Sequence, residues 1–207
     1  MSEYAALDVT SNFSFLRGAS HPEELVAAAK ELGLGAIAIA DRNSLAGVVR
    51  AFCAARELGV RLVVGCRLVL EDGTNMLCFP TDRAAYGRLC RLLTLGKRRA
   101  GKGECRLVYD DVVAHGAGQI FVALPPEDDD AAFENFLARL AADFPDAAYL
   151  AARHLYRGDD AARIDCLARL AARVGLPLVA ANDVLYHRPE RRRLQDVVAC
   201  IRSEERL

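Results

Sequence analysis

Three carboxylates and two guanidinium groups in this chain stand where apolar runs of strand length give way to polar residues. Asp8 and Thr10 close the run 4–9. Asp41 and Arg42 follow 36–40, Cys66 and Arg67 close 61–66, and Asn182 and Asp183 follow 177–181. In parallel α/β folds the carboxyl ends of the strands converge on the face that carries the chemistry. Carboxylates gathered there are the ligands that divalent cations take. A divalent cluster needs several anionic or imidazole ligands within about 2.0–2.6 Å of each ion. Arg42 and Arg67 oppose that reading, because they bring positive charge to the place of a metal and have no lone pair to donate. Few histidines can compensate. His154, after the run 148–152, is the best placed, and Asp41, Asp183 and His154 are the weak candidates for a single ion. His187 shares strand parity with Asp183, but Pro189 and Arg191-Arg192-Arg193 lead the chain away from the sheet. His21 falls in a helix cap and His115 in a loop before Gly116.

The elements that must position these groups read as strands over 4–9, 36–40, 61–66, 76–79, 119–124, 148–152 and 177–181. Most are apolar throughout, as in strands buried on both faces. Helical spacing fills the intervals. Ser20-His21-Pro22-Glu23 reads as a capping box, followed by Leu25, Ala28, Ala29 and Leu32 and ended by Gly33. Further apolar faces are Val48/Phe52/Ala55/Leu58, Tyr86/Leu89/Cys90/Leu93, Phe133/Phe136/Leu137/Leu140, Ile164/Leu167/Leu170/Val174 and Leu194/Val197/Val198/Ile201. Asp128-Asp129-Asp130 suits the negative first turn of a helix. The alternation predicts an α/β fold with a mostly parallel sheet. A closed barrel and an open doubly wound sheet fit the pattern equally.

With 207 residues, 53% of them hydrophobic, the chain suffices for one domain with a real core. Its net charge of −1 excludes a global positive field for nucleic acid, so any such contact is local. The candidate is Lys97, Arg98, Arg99 and Lys102 in the glycine-rich stretch 96–103, read as a loop. It has no interleaved aromatic residue for base stacking. The seven cysteines are odd in number and form no CxxC, and no apolar run reaches the ~18 residues of a membrane span. Free thiols, a cytoplasmic location and no membrane partner are expected.

Longer motifs point further. Leu7-Asp8-Val9-Thr10-Ser11-Asn12-Phe13-Ser14-Phe15-Leu16-Arg17-Gly18 resembles the His-x-His-Ser-x-Tyr-Ser-x-Leu-Asp-Gly stretch of the polymerase and histidinol phosphatase (PHP) family, with Asp8 and Thr10 in place of the histidines. Ala40–Gly47 is similar to Thr-Asp-His-x-x-Leu-x-Gly, Gly65-Cys66-Arg67 to Gly-Cys-Glu, and Asn182–Tyr186 to Asn-Asp-Val-His-Tyr. The resemblance runs nearly end to end. It is nearest to the PHP domain that opens bacterial C-family DNA polymerases of the error-prone, damage-tolerant branch, on 11–25 and 101–107.

The resemblance implies a distorted (β/α)7 TIM-like barrel, residues 1–207 forming one PHP domain of a longer polymerase chain. It implies a degenerate metal site. The ligand positions fall at Asp8, Thr10, Asp41, Arg42, Arg67, Asn75, Asp183 and Leu185, and only Asp41 and Asp183 match the family. The expectation is therefore a structural, metal-free domain, inactive by itself. It implies no cofactor here and Mg for the parent polymerase. Its partners would be the rest of that chain, DNA through the parent enzyme, and other replication or damage-tolerance proteins. Two rivals stand beside it. One is a metal-dependent phosphoesterase or 3′–5′ exonuclease. The other is a free-standing, non-catalytic binding module.

Overall fold

The computed structural model describes residues 4–127 and 131–204, so the expected acidic turn at 128–130 lies outside the described residues. In chain order the elements are β1 (Ala5–Ala6), α1 (Pro22–Glu31), β2 (Ala36–Arg42), α2 (Val48–Leu58), β3 (Leu62–Val69), β4 (Asn75–Pro80), α3 (Arg83–Arg98), α4 (Tyr109–His115), β5 (Gln119–Leu124), α5 (Ala131–Asp143), β6 (Ala148–Arg153), α6 (Asp160–Val174), β7 (Leu178–Ala181), a 3-10 turn (Pro189–Arg191) and α7 (Arg192–Ser203). The strands hydrogen-bond in sequence order, β1 to β7. The α/β class expected from the alternation is the one observed. No helix among the described residues is long and apolar enough to cross a membrane, and no disulfide links the cysteines.

The chain divides into two compact units, Met1–Cys66 with Asn182–Leu207, and Arg67–Ala181. In the first, β2 is buried over its length up to Asp41, as its unbroken apolar sequence requires. Leu25, Val26 and Ala29 of α1 and Ala51 and Ala55 of α2 pack with Val9, Ile37 and Ile39. The expected capping box is shifted by one residue. His21 is the N-cap, and Glu24 accepts its N–H at 2.9 Å. Ser20 instead accepts the His187 N–H at 3.0 Å, and its Oγ lies 2.7 Å from His187 Nδ1. The strand expected over 4–9 shrinks to two residues. Beyond it the backbone bonds to two neighbours at once: Val9 O accepts from Ala40 N at 2.8 Å, and Thr10 N donates to Val184 O at 2.9 Å.

Two expected helix faces in this unit are corrected. Phe52 (52% exposed) lies outside the buried face of α2, which is Ala51 and Ala55. On α7, Leu194, Val197 and Ile201 are exposed, and Gln195 is the buried residue.

In the second unit β5–β6 and β6–β7 are parallel, but β4 runs antiparallel to β5, with Asn75 opposite Leu124 and Pro80 opposite Gln119. The cause is a tight turn. Leu70 N donates to Thr74 O at 2.9 Å and Gly73 takes φ +86°, so five residues join β3 to its neighbour β4. A connection that short reverses the chain, since a parallel crossover needs a dozen residues. β7 is also more exposed than a doubly buried strand, with Leu178 at 38%. His115, expected in a loop, ends α4, a helix the apolar pattern does not reveal.

The stretch 96–103 is likewise not one loop, because Gly96, Lys97 and Arg98 form the last turn of α3. Gly96 serves close packing instead of ending the helix. A Cβ there would meet Cys105 Sγ at 2.6 Å and Leu107 Cδ2 at 2.7 Å. Gly87 of the same helix faces open space, with only the Arg91 guanidinium at 3.9 Å. The two glycines should therefore respond oppositely. Gly87→Ala is expected to stabilise by up to ~1 kcal/mol through helix propensity. Gly96→Ala should destabilise by about 1–3 kcal/mol through overpacking. Denaturant unfolding of the two variants measures both signs, and a stabilising Gly96→Ala would contradict the packing.

Candidate functional site

The first unit brings three carboxylates to neighbouring strand ends. Val184 N donates to Asp8 O at 2.8 Å, and Ala40 N to Val9 O at 2.8 Å, so Asp8, Asp41 and Asp183 lie on adjoining segments. Asp183 takes a left-handed backbone (φ +46°), which aspartate tolerates better than most residues. Leu185 contributes its carbonyl, which accepts from Ala19 N at 2.8 Å.

Asp41 is the centre of this region, 1% exposed at the end of β2. Its Oδ1 accepts from Ser11 N at 2.9 Å and from Ser14 Oγ at 2.7 Å. Its Oδ2 accepts from Ser11 Oγ at 2.8 Å. The two hydroxyls are themselves held. Ser11 Oγ accepts from Phe13 N at 3.2 Å, and Ser14 Oγ from Arg42 N at 2.9 Å. Cys66 Sγ donates to the Asp41 carbonyl at 3.3 Å. Two glycines make room. A Cβ on Gly47 would stand 2.6 Å from Asp41 Oδ2, and one on Gly18 would stand 2.4 Å from Ser11 O. Burial pushes the Asp41 carboxyl above its ordinary value, while the bonds from Ser14 and Ser11 pull the other way. The Tyr4 hydroxyl is raised first by burial and second by the Asp8 charge.

These contacts test the fit of the divalent metals that a PHP-type site implies. Leu185 offers no donor, Arg42 is a cation, and Asp41 has both oxygens committed to Ser11 and Ser14. Asp8, Arg42 and Asp183 each have other interaction partners. Among the described residues no group of three or more His, Cys, Asp and Glu is placed to hold a metal ion. The donor set does not fit. Thr10 shows the same mismatch from the other side. It is 3% exposed, and among the described residues its Oγ1 has no hydrogen-bond partner.

The remaining candidates lie in the second unit. Arg67 is on β3 and has interactions of its own. Asn75 begins β4 and spends its side chain on the turn, donating to Gly73 O at 2.7 Å. His154 follows β6, is exposed, and sits edge-on to Tyr156 at 4.6 Å. Of the basic group, Arg99 pairs with Asp111 at 2.5 Å, which removes it from any outward role, while Lys97, Arg98 and Lys102 are exposed. Sequence reasoning missed Ser11 and Ser14 as the partners of Asp41. The available signal was two serines three residues apart ahead of Gly18.

The PHP domain family matches residues 7–150, more than half of the chain. The chain belongs to the PHP family. Among its relatives are an error-prone DNA polymerase of Caulobacter vibrioides, 54% identical over 201 residues, and error-prone DNA polymerase 1 of Agrobacterium fabrum, 55% identical over 199 residues. These alignments cover 97% and 96% of this chain but 19% and 18% of the relatives, so the chain spans about a fifth of their length. A Bifidobacterium adolescentis crystal structure, called a "putative metal-dependent phosphoesterase", superposes with a TM-score of 0.68 at 20% identity, covering 91% of this chain and 89% of the other. That likeness establishes the fold, and the PHP-type (β/α)7 architecture is the one expected.

Two measurements probe the cluster. Ser14→Ala should lower the unfolding free energy by about 1–3 kcal/mol, since it strips a donor from a buried carboxylate and an acceptor from Arg42 N. Thr10→Val, which removes only an unpartnered hydroxyl, should be neutral or stabilise by up to ~1 kcal/mol. A loss of more than about 1 kcal/mol on Thr10→Val would reveal a ligand on that oxygen.

The pH dependence has a definite sign. A carboxyl whose folded value is raised contributes stability fully below its unfolded value of about 3.9, and loses it as pH rises through the folded value. The stability of wild type relative to Asp41→Asn should therefore fall as pH increases from about 4. Unfolding titrations over a pH series check this, and a rising difference would contradict it.

Proposed function

We propose that this chain is the PHP domain of a bacterial DNA polymerase of the error-prone kind, and that it has given up metal chemistry for a structural role in that enzyme. The relatives and their length support the first half. The second half is carried by one observation: the Asp41 carboxylate, the best candidate ligand of the family site, already accepts three hydrogen bonds from Ser11 and Ser14. A cation drawn to it would compete with the donors that hold the segment 11–18 in place. With Thr10, Arg42 and Leu185 at ligand positions, too few donors remain for a divalent cluster. Arg67 and Asn75 extend the same degenerate pattern.

In this reading the polymerase is a cytoplasmic enzyme, and its nucleotidyl transfer uses Mg held by residues outside this chain. Its partners are DNA and the proteins of replication and damage tolerance. The domain supplies a rigid support.

A second reading, metal-dependent phosphoester hydrolysis, draws on the retained Asp41 and Asp183 and on the shared phosphoesterase-like fold. Elemental analysis of protein from metal-supplemented medium separates the two. The structural reading expects less than one equivalent of zinc, manganese or iron, and two bound ions per chain would overturn it. Manganese-dependent cleavage of a phosphate ester or a DNA 3′ end that disappears in Asp41→Ala would do the same. The polymerase assignment stands or falls on primer extension by the full-length gene product.

A further inference from the structure

We propose that the outward face of α3 is a docking surface for the phosphate backbone of duplex DNA. The chain as a whole is nearly balanced, with 27 basic and 28 acidic residues. Between Arg83 and Gly103, however, it carries seven lysines and arginines and no aspartate or glutamate. Two of the seven are used internally. Arg88 Nε donates to Ala117 O at 2.6 Å, and Arg99 pairs with Asp111. The other five, Arg83, Arg91, Lys97, Arg98 and Lys102, are exposed, and no carboxylate pairs with them among the described residues.

The helix turns three of these charges to one side. Ala85, Leu89, Leu92, Leu93 and Gly96 form its buried face. At 100° per residue, Arg83, Arg91 and Arg98 fall on the opposite face, with Gly87 and Thr94 between them. Their spacings of eight and seven residues put them roughly 12 Å and 10 Å apart along the axis. One DNA strand presents a phosphate about every 3.4 Å, so the three arginines span roughly six to seven phosphates.

Helix stability does not account for the strip. Lys97 and Arg98 suit the negative end of the macrodipole, but Arg83 sits at the positive end, where a cation is unfavourable. Nor is the strip an ordinary solvated face, in which both signs are interspersed. α6 has that character, with Arg169 paired to Asp165 and Arg173 to Glu134. The residues between the arginines, Gly87 and Thr94, are neither aromatic nor large and apolar. A base-stacking platform and a membrane-inserting face are thereby disfavoured relative to backbone contact. The choice of DNA over another polyanion rests on the polymerase reading given above.

The test is fluorescence anisotropy of this chain with a labelled 20-base-pair duplex across a KCl series. The logarithm of affinity should fall linearly with the logarithm of salt, with a slope of about −2.7 to −4.5 for three to five contacts. Arg83→Gln/Arg91→Gln/Arg98→Gln should weaken binding at least tenfold at low salt and reduce the slope by between two and three. Arg56→Gln/Arg61→Gln/Arg193→Gln removes the same charge elsewhere and should stay within twofold of wild type. Circular dichroism and a thermal melt confirm that both variants fold.

Unchanged affinity in the α3 variant overturns the proposal, as does an equal loss in the control. Tighter binding of polyglutamate or of anionic phospholipid vesicles than of duplex, lost in the α3 variant, also overturns it and reassigns the strip to that polyanion. Any of these failures leaves the polymerase reading standing, since primer extension by the full-length product decides that separately.

Discussion

One buried carboxylate sets the terms for the first unit. Removing an ionised carboxyl from water is costly unless hydrogen bonds replace its hydration. At Asp41 that replacement is made by one backbone N–H and two hydroxyls, from Ser11 and Ser14. The consequence spreads outward. Ser11 and Ser14 must lie within reach of β2, so the chain after β1 folds back on itself. Gly18 approaches the Ser11 carbonyl more closely than any Cβ allows, and Gly47 gives the carboxylate its room. Ser14 also takes the Arg42 N–H, which couples the end of β2 to the same segment.

This explains which parts of the family motif persist and which do not. The matching frame includes Ser11, Ser14 and Gly18, and all three belong to the clamp on Asp41 or to its close packing. The side chains at the departing positions, Thr10, Arg42 and Leu185, make none of the hydrogen bonds to Asp41. Thr10 keeps a buried hydroxyl with no hydrogen-bond partner among the described residues. Such an atom is a cost carried by the fold.

Much of this was legible in the residues themselves. The unbroken apolar runs announced β2 and β5, Gly33 follows α1 with a left-handed backbone, and the family motifs indicated the fold. What escaped sequence reading has identifiable physical causes. Asp72-Gly73 is a hairpin signal, but the α/β alternation overrode it, so the antiparallel β4 was missed. Gly96 looked like a break because a glycine's close-packing role is invisible until its neighbours, Cys105 and Leu107, are placed. Phe52 and Ile201 had helical periodicity, which shows that residues share a face but not that anything covers it. The role of Ser11 and Ser14 needed their contact with a residue about thirty positions away, and no local pattern encodes that.

The accounting of polar groups separates the two kinds of surface in this chain. Buried polar atoms are satisfied almost without exception, so polar residues that satisfy each other are explained by the fold alone. Asp41, Ser11, Ser14 and the Arg42 N–H form such a closed set, as do Glu24, His21 N–H and Arg191 at the start of α1. The cations of α3 are of the other kind. They carry one sign, they repel each other, and one of them opposes the helix dipole, so folding gains little from their arrangement. A surface charge pattern that the fold does not require is informative about binding in a way that a satisfied internal cluster is not. The hydrogen bonds of Asp41 therefore account for internal structure, while the face of α3 fits the external ligand proposed for it.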